Sequence, residues 1–455
     1  MSEQNMKTHS LNRALIATNR FGYGARQGEM QKAQRDPKGW VIGQLKTVEF
    51  DPSLPGSDEV LHAFYQYQQQ QRKKKSNQNI DFGDDEIPKN FSRKTLQNAS
   101  ADGLIRSIQS SDSVSWRLLD FFSNHFSVTA NNRLMAGLAT TLEREAIAPN
   151  LIGRFEDMLL AITKHPAMLM YLNNERSFGP NSLAAKKRGK GLNENLAREI
   201  LELHTLGVDG PYSQQDVIEL AKGISGWSVK HPKREEGNGF VFRNYGHEPG
   251  KRTLLGRSYR QNGMSQGEQM LRDLATHPAT AKHICRKLAF HFVSENPPKS
   301  LLDKMQQTWR ETDGNIKSVM TTLFRADESW IAEPQKFKTP REFVISSYRA
   351  FGIREVKQNS FRYSLNNLGQ QPFNANSPAG YSDKNEDWLG PSALMARIDW
   401  SAMVGGYQKW QKIEKILSTS LGSQVSQHTY NSVMRAESRE QSIALFLMSP
   451  EFQWR

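Results

Sequence analysis

The sequence predicts a mainly α-helical fold: one large multi-helix domain with a small inserted β-hairpin and a disordered polar insertion. Three observations carry this. From Leu104 to Val229 apolar residues recur at helical spacing, with few interior Gly or Pro. Between Gly226 and Gly256 the texture changes to a Gly-Asn-Gly turn followed by the β-prone run GFVF, which Trp227 to Val229 could pair with. Residues 65–98 string together a Gln run, a basic run and an acidic run (QYQQQQRKKKSNQN, then DFGDDEIPKN), from which no core can be built.

The elements follow in order. LNRALIATNRFGYG places Leu11, Ala14, Leu15 and Ile16 at helical spacing and stops at the Gly22 and Gly24 turn, and a second short helix spans Gly39 to Leu45. These make 10–64 a set of N-terminal helices, 65–98 a flexible low-complexity insertion and 99–455 the main helical domain, with its β-hairpin near 226–256. In TKHPAMLMYLNN, Pro166 fits the first helical position with His165 before it, because proline loses no useful N–H there. His277 and Pro278 repeat the device. Ser213 is the expected cap of a helix with Asp216 in its first turn. Helices resume over 265–323 and 341–351. The Asn/Pro/Gly-rich, aromatic-studded run SLNNLGQQPFNANSPAGYSDKNEDWLGPSAL then reads as an ordered functional loop or packed strap, and a helix near Ser438 to Leu447 closes the fold.

The chain has 455 residues, a net charge of +13 and 37% hydrophobic residues, enough to pack a core. No stretch matches the roughly 18–20 apolar residues of a membrane span. Cys285 is the single cysteine, which excludes an intrachain disulfide and Cys-rich zinc or Fe–S modules. The N-terminus shows neither an apolar signal region nor a twin-arginine pair, so the expected compartment is the cytoplasm, with the cell envelope through co-export with a partner as the alternative. P-loop, dinucleotide-turn and nucleophile-elbow motifs are missing, which argues against nucleotide-driven chemistry.

The most informative segment is GLNENLAREILELHTLGV, residues 191–208. On a helical wheel Leu192, Leu196, Ile200 and Leu203 form an apolar stripe, and Asn195, Arg198, Glu199 and Glu202 gather on another. Glu199 and Glu202, three apart, are candidate catalytic carboxylates and could jointly hold a divalent cation through oxygen ligands; Asn195 and Arg198 are candidate binding residues. A solvated face with ordinary ion pairs is the competing reading. His204 points away from this stripe and reads as a buried, hydrogen-bonded structural residue. His125, with Asn124 among aromatics in SNHFSV, and His247, on the Gly-bracketed loop FRNYGHEPG with Asn244, are further candidates, catalytic for the two histidines and binding for Asn244. Asn181, in NNERSFGPNS, is a candidate binding residue. Basic runs at Arg72 to Lys75, Lys186 to Lys190 and Lys230 to Arg234 suit an anionic ligand or simply surface steering.

RFGYG, NHFSV, ITKHPAMLMYLNNERSFGPNS, GLNENLAREILELHTLGVDGPYSQQDVIELAKGISGW and HPATAKHICRKLAFHFV together resemble the bacterial family called domain of unknown function 1800, over roughly residues 10 to 450. The resemblance implies a predominantly α-helical fold and, because such genes often lie beside one for a sulfatase-like protein, a sulfatase-like partner. Two departures stand out: Phe122 where the family often has Trp, and Ala148, Pro149 and Asn150 where it often reads Arg-Pro-His. Two functional readings result. One is an enzyme or ligand-binding protein with a polar Asn/Arg/Glu/His pocket doing hydrolase-like acid–base work. The other is a non-catalytic scaffold or assembly partner. Nucleic-acid binding through net charge is disfavoured.

Overall fold

Apolar side chains at helical spacing make helices that must bury one face against another, and this chain solves the problem almost entirely with helix-on-helix packing. The computed structural model describes residues 12–76, 86–189, 191–231, 235, 237, 239–353, 358–407 and 412–455. Among them one continuous core runs from Ala14 to Phe452. The N-terminal segment belongs to that core: Phe21 meets Phe324 and Trp330 edge-on, each at 5.0 Å.

Both His-Pro-Ala helix starts form as expected. His165 and His277 each accept the backbone N–H of the residue two further on through Nδ1, at 3.1 Å, and Pro166 and Pro278 occupy the first turn. Ser213 and Asp216 form a reciprocal capping box on the Gln214–Gly223 helix. The expected hairpin pairs Trp227–Val229 (β1) antiparallel to Phe240–Phe242 (β2), with Trp227 opposite Phe242. A second hairpin follows, Arg252–Leu254 (β3) with Arg257–Tyr259 (β4), which the sequence had not signalled.

The two ends of the stretch 65–98, expected as a flexible insertion, are helical. Residues 65–75 complete the Ser57–Lys75 helix and 91–98 begin the Phe91–Gln109 helix; residues 77–85 lie outside the described residues. Gln, Lys and Arg are good helix formers, so a polar run attached to the buried Val60, Leu61 and Ala63 continues the helix it starts from. Gln70 is itself buried, its Oε1 accepting the Ile87 N–H at 3.2 Å.

The apolar stripe of the 191–208 segment is rotated. After the Asn195–Glu199 helix the backbone widens into a π-helical turn, Ile200–His204, and Leu206 N–H bonds the carbonyl of Leu201, five residues back. Leu196, Ala197, Ile200 and Leu201 are buried, whereas Leu203 is only half-buried. A second π turn, Glu143–Ile147, extends the Arg133–Leu142 helix. C-terminal to the strap the chain forms three helices beyond those expected near Ser438, Pro391–Tyr407, Ile413–Leu421 and Gln427–Met434, before Arg439–Met448.

Candidate functional site

The walls of a cavity of about 480 Å³ include the Ser113–His125 helix, the Glu143–Ile147 π turn, the Pro278–Phe292 helix, the first turn of the Pro340–Ala350 helix, and the strap over residues 370–384, with the Phe91–Gln109 and Arg133–Leu142 helices contributing apolar and small side chains. The strap is held down by backbone and side-chain bonds. Ala130 N–H donates to Phe373 O at 2.8 Å, Thr129 Oγ1 to Ala375 O at 2.7 Å, and Asn124 grips Tyr381 twice, donating Nδ2–H to its carbonyl at 2.8 Å and accepting its N–H at 2.7 Å. Gly380 has φ +80°, and a Cβ there would lie 2.4 Å from the Asn124 carbonyl oxygen, so this approach admits only glycine.

The Pro278–Phe292 helix buries Ile284, Cys285, Leu288, Ala289 and Phe292 and turns His283, Lys287 and His291, at i, i+4 and i+8, toward the cavity. Lys287 Nζ lies 2.9 Å from His125 Nδ1, and His125 Nε2 lies 3.2 Å from the carbonyl of His204. That pattern fixes the tautomer: Nε2–H donates to the carbonyl, and Nδ1 accepts from the amine. His125 stays neutral, because burial, then Lys287, His204 and His283, push its pKa well below the ordinary imidazole value. Burial also brings Lys287 down to about 8, and no carboxylate lies within ion-pair distance of it among the described residues. His283 Nε2 binds the Leu203 carbonyl at 3.2 Å, and burial and Lys287 lower its pKa to about 4. Gly207, at φ +91°, passes so close under this ring that a Cβ would sit 2.8 Å from Nδ1.

Opposite charges line other walls. Glu143, on the π turn, accepts from Ser123 Oγ at 2.9 Å, and burial raises its pKa to about 7, so its carboxyl is poised between acid and base at neutrality. Asp120 accepts from Arg341 Nε at 2.6 Å and from the Tyr23 hydroxyl. Asp383 accepts from His291 Nδ1 at 2.9 Å, while Arg117 Nε points at His291 Nε2 from 3.4 Å. Burial opposes ionisation of Asp383, yet His291, Lys336 and Arg455 together keep it below its ordinary value. Arg286, exposed on the wall, makes no bond to a carboxylate among the described residues.

Of the candidate catalytic and binding residues named from the sequence, His125 lines this cavity, beside its neighbour Asn124, and the others lie elsewhere. Asn195 is exposed. Arg198 bridges Glu194 and Glu202, 3.3 Å to each, and reaches Gln214 at 2.9 Å. Glu199 is half-buried, its pKa raised by burial and by Glu202. Asn181 is bound twice by Glu248, through its N–H at 2.8 Å and its amide at 2.7 Å, which ties the 173–182 loop to the loop after β2. Asn244 is exposed in a 3-10 turn, and His247 is buried with Nδ1 on the Ser225 carbonyl at 3.0 Å. His204 is buried as expected, but its Nε2 has no partner among the described residues, so the expected hydrogen bond is absent at that atom. The ring packs on Phe126 at 5.0 Å, and burial lowers its pKa to about 3.

Sequence reading missed Glu143, Lys287, His283, His291, Asp120 and Asp383. A signal existed for the helix, the His-x3-Lys-x3-His repeat within HICRKLAFH set against an apolar face. Glu143 gave none, since a π turn leaves no periodic signature. Among the described residues no group of three or more His, Cys, Asp or Glu side chains is placed to hold a metal ion, and no helix is long and apolar enough to cross a membrane.

A family model described as "Protein of unknown function (DUF1800)" matches residues 16–454. No curated protein and no solved structure matches the chain.

Proposed function

The chain belongs to the DUF1800 family, and we propose that in this member the cavity beside Lys287 is a site for a small organic anion on which Glu143 does acid–base chemistry. The observation that carries the reading is the cavity's charge arrangement. Arg286 and Lys287 present positive charge with no carboxylate in ion-pair contact among the described residues, while Glu143 offers a carboxyl that exchanges its proton near neutrality. His125, anchored at both ring nitrogens, positions the amine. The sulfatase-like partner that the family resemblance implies fits an anionic ligand, and that partnership is part of the proposal.

A thermal-shift panel of small carboxylates and sulfate esters tests this. A ligand at a hundredfold excess over its Kd stabilises by about 2.7 kcal/mol, so at least one anion should raise the melting temperature of the wild type and lose that effect in Arg286→Gln. Uniform indifference to the whole panel would sink the reading.

Assembly without catalysis is a second reading, favoured by the Pro391–Tyr407 helix, which exposes Met395 (55%) and Ile398 (43%) one turn apart. Co-purification of a sulfatase-like protein that Met395→Glu abolishes would support it.

A further inference from the structure

The amine of Lys287 is held in an arrangement that a phosphate- or carboxylate-binding lysine does not need. Its nitrogen is fixed at 2.9 Å by a histidine whose other nitrogen is tied to a backbone carbonyl, so the imidazole can offer the amine only a lone pair. The side chain is half-buried on the cavity wall, and the groups closest to it in charge are His125, His204 and His283, with Asp383 the one acid that acts on it appreciably. The imidazole lone pair and Asp383 favour the ammonium, but burial outweighs them and lowers the pKa to about 8, so the neutral amine, the form that attacks carbonyl carbon, becomes available just above neutrality. Arg286, the preceding residue, lines the same cavity with no carboxylate bonded to its guanidinium among the described residues, and Glu143 lines it with an exchangeable proton.

Resting on the anion-site reading above, we propose that Lys287 is a nucleophile that forms an imine with a 2-oxo acid, whose carboxylate Arg286 receives. The Nζ lone pair attacks the keto carbon and the C=O π electrons move to oxygen. A proton passes from nitrogen to that oxygen, giving the neutral carbinolamine. The Glu143 carboxyl then protonates the hydroxyl, which leaves as water while the nitrogen lone pair forms the C=N bond. The products are a protonated imine, one water and the Glu143 carboxylate. His125 is a positioning residue: it orients Nζ and keeps no proton of its own. The iminium so formed withdraws electrons from the adjacent carbons, as proton abstraction, decarboxylation or carbon–carbon bond cleavage next to a carbonyl requires.

The test traps the imine. The full chain is incubated with pyruvate and sodium borohydride, followed by intact mass measurement and peptide mapping. One reduced pyruvate per chain is expected, on Lys287. Its trapping rate should rise through about pH 8, whereas the rate at a surface lysine goes on rising to about pH 10. Lys287→Arg, with circular dichroism to verify folding, should fall to the background of the remaining lysines, and His125→Asn should move the pH midpoint while leaving Lys287 as the labelled residue. Pyruvate spread evenly over surface lysines, or no adduct at all, would overturn the proposal. Should an anion still raise the melting temperature through Arg286 in that case, the imine step fails and the anion site stands.

Discussion

Replacing Glu342 with glutamine is expected to destabilise the fold by about 3–5 kcal/mol, the range for removing one partner of a buried ion pair. Glu342 receives Arg117 at 2.9 Å and Arg455 at 2.7 Å, and its Oε2 accepts the Thr339 N–H at 2.9 Å to complete the capping box of the Pro340–Ala350 helix. All three side chains of the ion cluster are buried. An amide would leave two guanidinium groups without a counter-charge and would turn an N–H toward donors that need an acceptor. The same carboxylate sets an acid limit. Burial works to raise its pKa, but Arg455, Arg117 and His291 pull it well below its usual 4.5. The unfolded chain therefore binds the proton more readily than the folded one. The stabilisation is complete above about pH 4.5 and is lost as pH falls toward the folded-state value. Urea melts of the wild type and Glu342→Gln at pH 7 and pH 3 check both statements: the gap between them should be widest at pH 7 and measurably smaller at pH 3.

Leu201→Ala is expected to cost about 2–5 kcal/mol, as for other buried leucines, while Leu203→Ala costs at most about 1 kcal/mol, as for substitutions outside the core. On a helical wheel Leu196, Ala197, Ile200, Leu201 and His204 share one face, and Leu203 falls at its edge. That face packs on the core, leaving Leu201 fully buried and Leu203 half-buried. Chemical denaturation of both variants decides it, and equal losses would mean that Leu203 packs as deeply as Leu201 in solution.

These two leucines show where the sequence was readable and where it was not. Features written in local chemistry were legible: the His165 and His277 caps, the Ser213 capping box, and the pairing of Trp227–Val229 with Phe240–Phe242. The strap was visible too, through its Asn, Pro, Gly and aromatic residues, and it does pack, through Asn124 and Tyr381. The polar insertion was misjudged for 65–75, because composition alone ignored that good helix formers extend a helix already packed. Among the candidate site residues, His125 stood out for its aromatic neighbours. Glu199 and Glu202 drew attention through a stripe whose Arg198 turns out to be engaged with Glu194 and Glu202. Glu143, Lys287 and Asp383 come from segments far apart in the chain, and only tertiary packing brings them to one cavity.

Titration of the glutamate carboxyls by carbon-13 NMR, on protein labelled at glutamate Cδ, tests the central claim most directly, since that claim needs a cavity carboxyl that exchanges its proton at neutrality. The predicted result is one resonance titrating near pH 7, missing in Glu143→Gln and displaced when pyruvate or another organic anion fills the cavity. A spectrum in which every glutamate titrates in the ordinary carboxylate range, with Glu143→Gln removing one of those ordinary signals, would contradict the account.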